Sequence, residues 1–236
     1  MVATDGVEAN RAGGRKKLEP DPQLRAAILS AAAEVVRTEG VQALSIAALL
    51  RRTQLSTRAF YRHFDSKDQL VAAIFLEMAR AEVLRLEQRM ADRSDPVRAV
   101  SAWIDGRLDL AFNRRIRSDL HKMSVEAQNL MFAAPELVAP AYREMLRPLV
   151  EQLRRGKDLG LFGGIDPDGE ALSIQGVVWA NIERHWATEH RDPSDIRERV
   201  QRFCLGGLGL TTEAIAAVLH EPTITAPNPP DRRSSR

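Results

Sequence analysis

Between Ser45 and Leu70 the chain reads SIAALLRRTQLSTRAFYRHFDSKDQL, and this stretch carries three helix starts in quick succession. Ile46, Leu49 and Leu50 recur at the i, i+3, i+4 spacing of one helix face, with Ser45 placed to cap that helix. Thr53-Gln54-Leu55 then breaks the run. Ser56 is placed to cap a second helix, with Leu55 at N′ and Phe60 at N4 spaced as a hydrophobic staple. After Phe64 the pattern restarts at Ser66-Lys67-Asp68-Gln69, a capping box that opens a long apolar helix. Two short helices across a tight turn, clamped by a third, predict a helix-turn-helix.

Charge on the same stretch narrows its partner. No acidic residue lies between Glu39 and Asp65, whereas Arg51, Arg52, Arg58 and Arg62 are all cationic. A phosphate backbone is a dense row of negative charge, and an acid-free basic turn is what binding it requires. Ser56, Thr57, Tyr61 and Lys67 add hydroxyl and ammonium donors beside helix starts. The competing reading is a solvated helical hairpin with an accidental run of arginine.

Leu44-Ser45-Ile46-Ala47-Ala48-Leu49, then Leu55 to Phe64, then Ser66-Lys67-Asp68-Gln69-Leu70, resemble the DNA-binding domain of the tetracycline-repressor (TetR) family. The Tyr-x-His-Phe-x-Ser-Lys string at Tyr61–Lys67 is the most specific part, and the match runs from about Leu24 to Leu76. One departure stands out: the turn usually carries glycine where this chain has Gln54. The resemblance implies a DNA-binding regulator, with residues 21–70 as the helix-turn-helix domain and residues 71–220 as a helical ligand-binding and dimerisation domain.

Composition fits that frame. Hydrophobic residues make up 44% and charged residues 28%, as in a globular protein with a real core, and the net charge is only +2. Basicity is therefore local, which favours a focused nucleic-acid site. The single cysteine, Cys204, excludes an internal disulfide and reads as a small core residue. No apolar leader or membrane-length stretch is visible, so a cytoplasmic protein with no membrane partner is expected. Residues 1–20, with Arg11, Arg15, Lys16 and Lys17, read as a disordered basic arm. Two uses compete for it, a solubilising tail or an arm that follows phosphates, and the tail is favoured. Residues 221–236 also read as disordered.

One start signal repeats along the rest. Asp21-Pro22, Asp95-Pro96, Asp166-Pro167 and Asp192-Pro193 each precede an apolar-periodic run, with aspartate at N-cap and proline at N1. No hairpin dipeptide sits between alternating runs, and the expected fold class is all-α. The first helix spans Pro22–Glu39, stopped by Gly40. Leu24, Ile28, Ala31 or Ala32, and Val35 are expected to form its buried stripe. A long helix from Lys67 to about Met90 is apolar near its start and carries Arg80, Glu82, Arg85, Glu87 and Arg89 as a solvated face; it can belong to two domains and act as a lever. Helices over Pro96–Asn113, Ser118–Phe132, Pro135–Arg155, Asp166–Ala187 and Ser194–Leu205 follow. The third of these is expected to start late or kink at Pro140 and Pro148. The patch Arg114-Arg115-Ile116-Arg117 reads as a solvated loop or helix start. Gly206-Gly207 is expected to end the last helix.

Nothing in the sequence argues for catalysis, a cofactor or a metal. G-x-S-x-G and phosphate-loop motifs are absent, His185 and His190 are poorly spaced for one helix face, and Glu183 and Glu189 read as solvated. Polar and aromatic residues within apolar helices instead suggest a small-molecule cleft: Trp103, Arg107, Phe112, His121, Gln128, Phe132, Tyr142, Gln175, Trp179 and Glu183. As a group these fit the ligand chamber that the resemblance implies, with Arg107 and His121 orienting a polar or anionic head group of a largely apolar effector. The resemblance also implies a homodimer through the last two long helices, with Val178, Ile182, Trp186, Val200 and Phe203 at the interface; ordinary packing within one chain is the competing reading of the same apolar positions. A two-fold DNA operator favours a dimer independently. For DNA, Arg58 is the expected base reader and Thr57 its neighbour, while Ser45, Ser56, Tyr61, His63 and Lys67 are expected on phosphates. Phe60 and Phe64 are expected in the core. The leading functional reading is a ligand-responsive repressor; the alternatives are a helical sensor or carrier on the same scaffold with a non-functional DNA domain, and an α-helical enzyme, which the missing catalytic spacing disfavours.

Overall fold

The computed structural model describes residues 21–91, 93–113, 117–188 and 192–220. The expected N-terminal arm and C-terminal tail, Arg114 to Ile116, Glu189 and His190 lie outside them. The described residues form helices and no strand: α1 (Pro22–Glu39), α2 (Ile46–Thr53), α3 (Thr57–Tyr61), α4 (Lys67–Met90), α5 (Pro96–Phe112), α6 (Arg117–Ala133), α7 (Pro135–Asp158), α8 (Pro167–Thr188), α9 (Pro193–Gly207) and α10 (Thr212–Leu219).

The capping chemistry explains where these helices begin. Asp21, Asp95 and Asp192 accept N–H bonds from the first turns of α1, α5 and α9, each with proline at the start. The Asp166 carboxylate accepts from the Gly169 N–H at 3.3 Å, opening α8 in the same way. Ser66 Oγ accepts from the Gln69 N–H at 3.0 Å, and Gln69 Oε1 reaches back to the Asp65 N–H at 2.6 Å, one residue before the cap. Gln54 takes the left-handed conformation at the end of α2, with φ 56° and ψ 30°. The turn therefore keeps its geometry without glycine.

Helices α7, α9 and α10 add detail that the sequence reading did not supply. Helix α7 starts at Pro135 and runs through both Pro140 and Pro148. Each proline withdraws the N–H that would reach the Glu136 or Glu144 carbonyl. Burial of Val138, Leu146, Leu149 and Leu153 along its length holds the helix together across those gaps. Helix α9 continues through Gly206 and Gly207, and the chain turns at Gly209 with φ +88°. Beyond it, Thr211 caps the short α10, which buries Ile215.

Two hydrophobic cores share one helix. The first gathers α1, α2, α3 and the front half of α4, from Ile28 and Phe60 to Phe75 and Ala79; it also takes in Met123, Val138 and Ala141 from α6 and α7. The buried stripe of α1 is Ile28, Leu29, Ala32 and Val36; of the expected stripe Ile28 and Ala32 are buried, while Leu24 and Val35 are half-buried. The second core starts at Leu86 and Met90 of α4 and fills the space among α5, α7, α8, α9 and α10. Helix α4 packs along α7 and against α1 and α5. It thus joins the helix-turn-helix to the larger helical domain.

Candidate functional site

Helix α3 is short, and one face of it holds the domain together. Phe60 and Phe64 are fully buried, with ring centroids 5.8 Å apart, and the Arg25 guanidinium lies 5.2 Å over the Phe64 ring. Locking that face inward turns Thr57, Arg58, Tyr61 and Arg62 outward, and all four are exposed. Arg51 and Arg52 are exposed at the end of α2, across the turn. Ser45 and Ser56 spend their hydroxyls as caps, accepting from the Ala48 and Ala59 N–H groups at 3.4 and 3.2 Å. Their O–H donors stay available to an anion. Lys67 is half-buried at the first position of α4. His63 is half-buried, and among the described residues neither of its sheltered ring nitrogens has a partner.

A cleft of about 420 Å³ opens among α4, α5, α6, α7 and α8. Its wall is largely apolar: Phe75, Met78 and Ala79 from α4, Leu110 from α5, Leu120 and Met123 from α6, Met145 from α7 and Trp179 from α8. Its polar members are Glu82, Arg107, Ser124, Tyr142 and Gln175. Arg107 donates to Glu82 at 3.0 Å, and Glu82 also accepts from Arg85 at 2.7 and 2.8 Å. Burial pushes the Tyr142 phenol above its ordinary pKa; the positive charge of Arg107 opposes that shift and Glu183 adds to it. The phenol is therefore protonated at neutral pH. Phe75, Ala79, Met123 and Ala141 line this cleft and are also buried members of the core that holds the helix-turn-helix.

Of the residues expected in a ligand chamber, Arg107, Tyr142, Gln175 and Trp179 meet on the cleft wall. Trp103 does not: it is fully buried in the second core. Phe112 packs edge-on to His185, and His121 is exposed and tilted against Trp186, outside the lining. Gln128 donates to the exposed Glu183 at 2.7 Å, a surface link between α6 and α8, and Phe132 is almost wholly exposed. Sequence reasoning missed Glu82, which it placed on a solvated face. A signal was present, because Phe75, Met78, Ala79 and Glu82 fall at i, i+3, i+4 and i+7. Leu120, Met123, Ser124 and Ala127 repeat the same spacing on α6, and all four line the cleft.

The last helices need a second correction. Val178, Ile182, Trp186 and Val200 are buried inside one chain, so they are not free to meet a second one. Trp186 donates from its indole N–H to the Ala111 carbonyl at 3.1 Å. The outward faces carry other residues: Leu172, Gly176 and Ala180 on α8, and Phe203, Gly206 and Gly207 on α9. Among the described residues no group of His, Cys, Asp or Glu is arranged to hold a metal ion, and no helix is long and apolar enough to cross a membrane.

Comparison with known proteins bears on both parts. Residues 28–74 match the family model of bacterial regulatory proteins of the tetR family, a span that takes in most of α1, all of α2 and α3 with the turn between them, and the start of α4. No curated protein matches the chain in sequence. Among solved structures, RolR in complex with resorcinol is 19% identical with a TM-score of 0.61, covering 86% of this chain and 96% of its own. The fatty acid degradation regulator FadR from Bacillus halodurans is 18% identical with a TM-score of 0.60, covering 80% and 97%. A transcriptional regulator from Saccharomonospora viridis, in complex with choline, is 16% identical with a TM-score of 0.58, covering 78% and 96%. The shared all-α fold therefore extends well past the matched domain.

Proposed function

We propose, for a chain whose residues 28–74 match the tetR-family model, a ligand-responsive, dimeric transcriptional repressor that a largely apolar small molecule releases from a pseudo-palindromic operator. The observation that carries this reading is the shared wall. Phe75, Ala79, Met123 and Ala141 belong both to the cleft and to the core beneath the helix-turn-helix. Close-packed cores transmit displacement, so a molecule seated in the cleft presses on the same side chains that fix the DNA-binding domain. The resorcinol and choline held by the two similarly folded proteins support a small-molecule site on this scaffold.

In this reading two copies of α3 enter successive major grooves about 34 Å apart. Arg58 reads a base edge, Thr57 reaches a neighbouring base or methyl group, and Ser45, Ser56, Tyr61 and Lys67 hold phosphates. His63 joins the phosphate contacts by turning one sheltered ring nitrogen outward. The outward faces of α8 and α9, with Leu172 and Phe203 exposed, pair with a second copy. An effector weakens DNA binding only as far as it prefers the arrangement with the wrong half-site spacing. A coupling of about 1–3 kcal/mol would lower affinity roughly 5- to 150-fold.

The test begins by selecting bound duplexes from a random pool. Affinity for the selected duplex is then measured as a cleft-binding ligand is raised to saturation. A fall within that range is expected. No change under a ligand shown to occupy the cleft would overturn the mechanism. Failure to recover any duplex would favour a sensor whose DNA domain is inactive.

A further inference from the structure

The polar groups of the cleft define the chemistry of what it takes. Arg107 and Gln175 are each more than nine-tenths buried, and both line the cleft. Among the described residues neither Arg107 Nε nor Gln175 Oε1 has a hydrogen-bond partner. One is a donor and the other an acceptor, and a buried polar atom without a partner is costly. A hydroxyl has both the lone pairs to accept from a guanidinium N–H and the proton to donate to an amide oxygen. Charge argues against an ionic ligand. Glu82 also lines the cleft and is bonded to Arg107. A carboxylate ligand would meet Glu82, an ammonium ligand would meet Arg107, and either would lose its hydration in an apolar cleft. Arg85, the second cation on Glu82, is not part of the lining and is partly exposed.

The rest of the wall selects the body of the molecule. Met78, Met123 and Met145 stand around the cleft with Trp179 and Phe75. Thioethers adapt to shape and make favourable contacts with ring edges. A volume of about 420 Å³ has room for on the order of a dozen non-hydrogen atoms. We infer that the cleft binds an uncharged aromatic alcohol or phenol of about that size, its hydroxyl held between Arg107 and Gln175. This rests on the cleft being the effector site and adds the ligand's class.

Titration calorimetry on the full chain at pH 7 tests it with four probes of matched shape: 4-butylphenol, butylbenzene, 4-butylbenzoate and 4-butylbenzylammonium. The phenol is expected to bind tightest and butylbenzene at least about tenfold more weakly, with both ions weaker still. Gln175→Leu should bring the phenol and butylbenzene to similar affinity, whereas Gln175→Glu, which keeps an acceptor, should retain the preference for the phenol. Tightest binding by the benzoate, no binding by any probe, or a Gln175→Leu protein that still prefers the phenol would overturn the assignment. A separate DNA-affinity measurement keeps the two readings apart. A phenol that binds as expected but leaves DNA affinity unchanged refutes the regulatory mechanism and leaves the ligand class standing.

Discussion

Arg107 Nη1 donates to Glu82 Oε1 at 3.0 Å, joining α5 to α4 through two side chains that are only 8% and 11% exposed. The contact is extended by Arg85, which donates to Glu82 and to the Gly106 carbonyl at 2.8 Å. Gly106 permits the close approach, because a Cβ there would lie 2.7 Å from Leu86 Cδ2 and 3.2 Å from Arg89 Cδ. Removing one member of a buried pair strands the other, which costs far more than replacing both. Glu82→Gln should therefore lower stability by about 3 kcal/mol, and Glu82→Met with Arg107→Met together should lower it by less than either change alone. Urea unfolding of Glu82→Gln, the two methionine single variants and their double measures this. Equal, small losses throughout would show that solvent screens the pair.

Gln54 is the described non-glycine residue with positive φ, and it sits in the turn between α2 and α3. A side chain in the left-handed region costs about 1–2 kcal/mol, while glycine adopts it freely. Gln54 is exposed, so its side chain gives little in return. Gln54→Gly should stabilise the protein by about 1 kcal/mol, read as a higher urea midpoint with an unchanged slope. A lower midpoint would mean that the Gln54 side chain holds the turn by a contact of its own.

How much of this the sequence showed depends on whether the information was local. The Asp-Pro starts of α1, α5, α8 and α9, the Ser66 box and the span of α4 are set by residues within one turn of each other. The sequence reading placed each of these starts correctly. The partner of Glu82 is not local. Arg85, three residues on, suggests a solvated surface pair, and only folding brings Arg107 across from α5. Helix α8 shows a different limit. Its period separates Val178, Ile182 and Trp186 from Leu172, Gly176 and Ala180, but does not say which side meets its own chain. Val178, Ile182 and Trp186 went inward and Leu172, Gly176 and Ala180 outward, so four of the five residues expected at an interface are packed within the chain. The prolines of α7 did not delay its start, because the local penalty is outweighed by burial along the whole helix, which no window of sequence contains.

Arg58 and Lys67 should separate reading from holding. Arg58 is exposed on α3, whereas Lys67 stands half-buried at the start of α4. Arg58→Ala should cost about 1–3 kcal/mol of DNA affinity and relax preference at one base position. Lys67→Ala should weaken all duplexes alike and flatten the dependence of log affinity on log salt by about one unit. Binding to the selected duplex and its single-base variants, across a salt series, measures both. Uniform weakening by Arg58→Ala would make it a phosphate contact, and an unchanged slope would remove Lys67 from that group.

Cys204 is 5% exposed within the second core, and burial pushes its thiol from 9.0 up to about 12. The folded value lies above the unfolded one, so the protonated thiol is favoured by folding. Its contribution is complete below pH 9 and is lost as pH rises toward 12. Stability should therefore fall across that interval, and Cys204→Ala should remove the part of the slope due to this group. At pH 8 the thiol should resist a disulfide reagent in the folded protein and react at the rate of opening once urea is added. Fast labelling without denaturant would show that the site opens far more readily than its packing implies.

Phe203 and Val200 lie one turn apart on α9 but differ in burial: Phe203 is 67% exposed and Val200 is 1% exposed. If the outward faces of α8 and α9 meet a second copy, the two positions fail differently. Phe203→Glu sets a charge where the apolar faces would touch, and each copy places its own charge at the shared contact. Sedimentation should then show monomers with their helical content intact, and affinity for a two-half-site duplex should collapse toward that for one half-site. Val200→Ala should leave the assembly unchanged and cost about 2 kcal/mol of stability, through the cavity left in the core. A Phe203→Glu protein that still sediments as a dimer would move the interface to another face, because two buried carboxylates opposite one another would not be tolerated there.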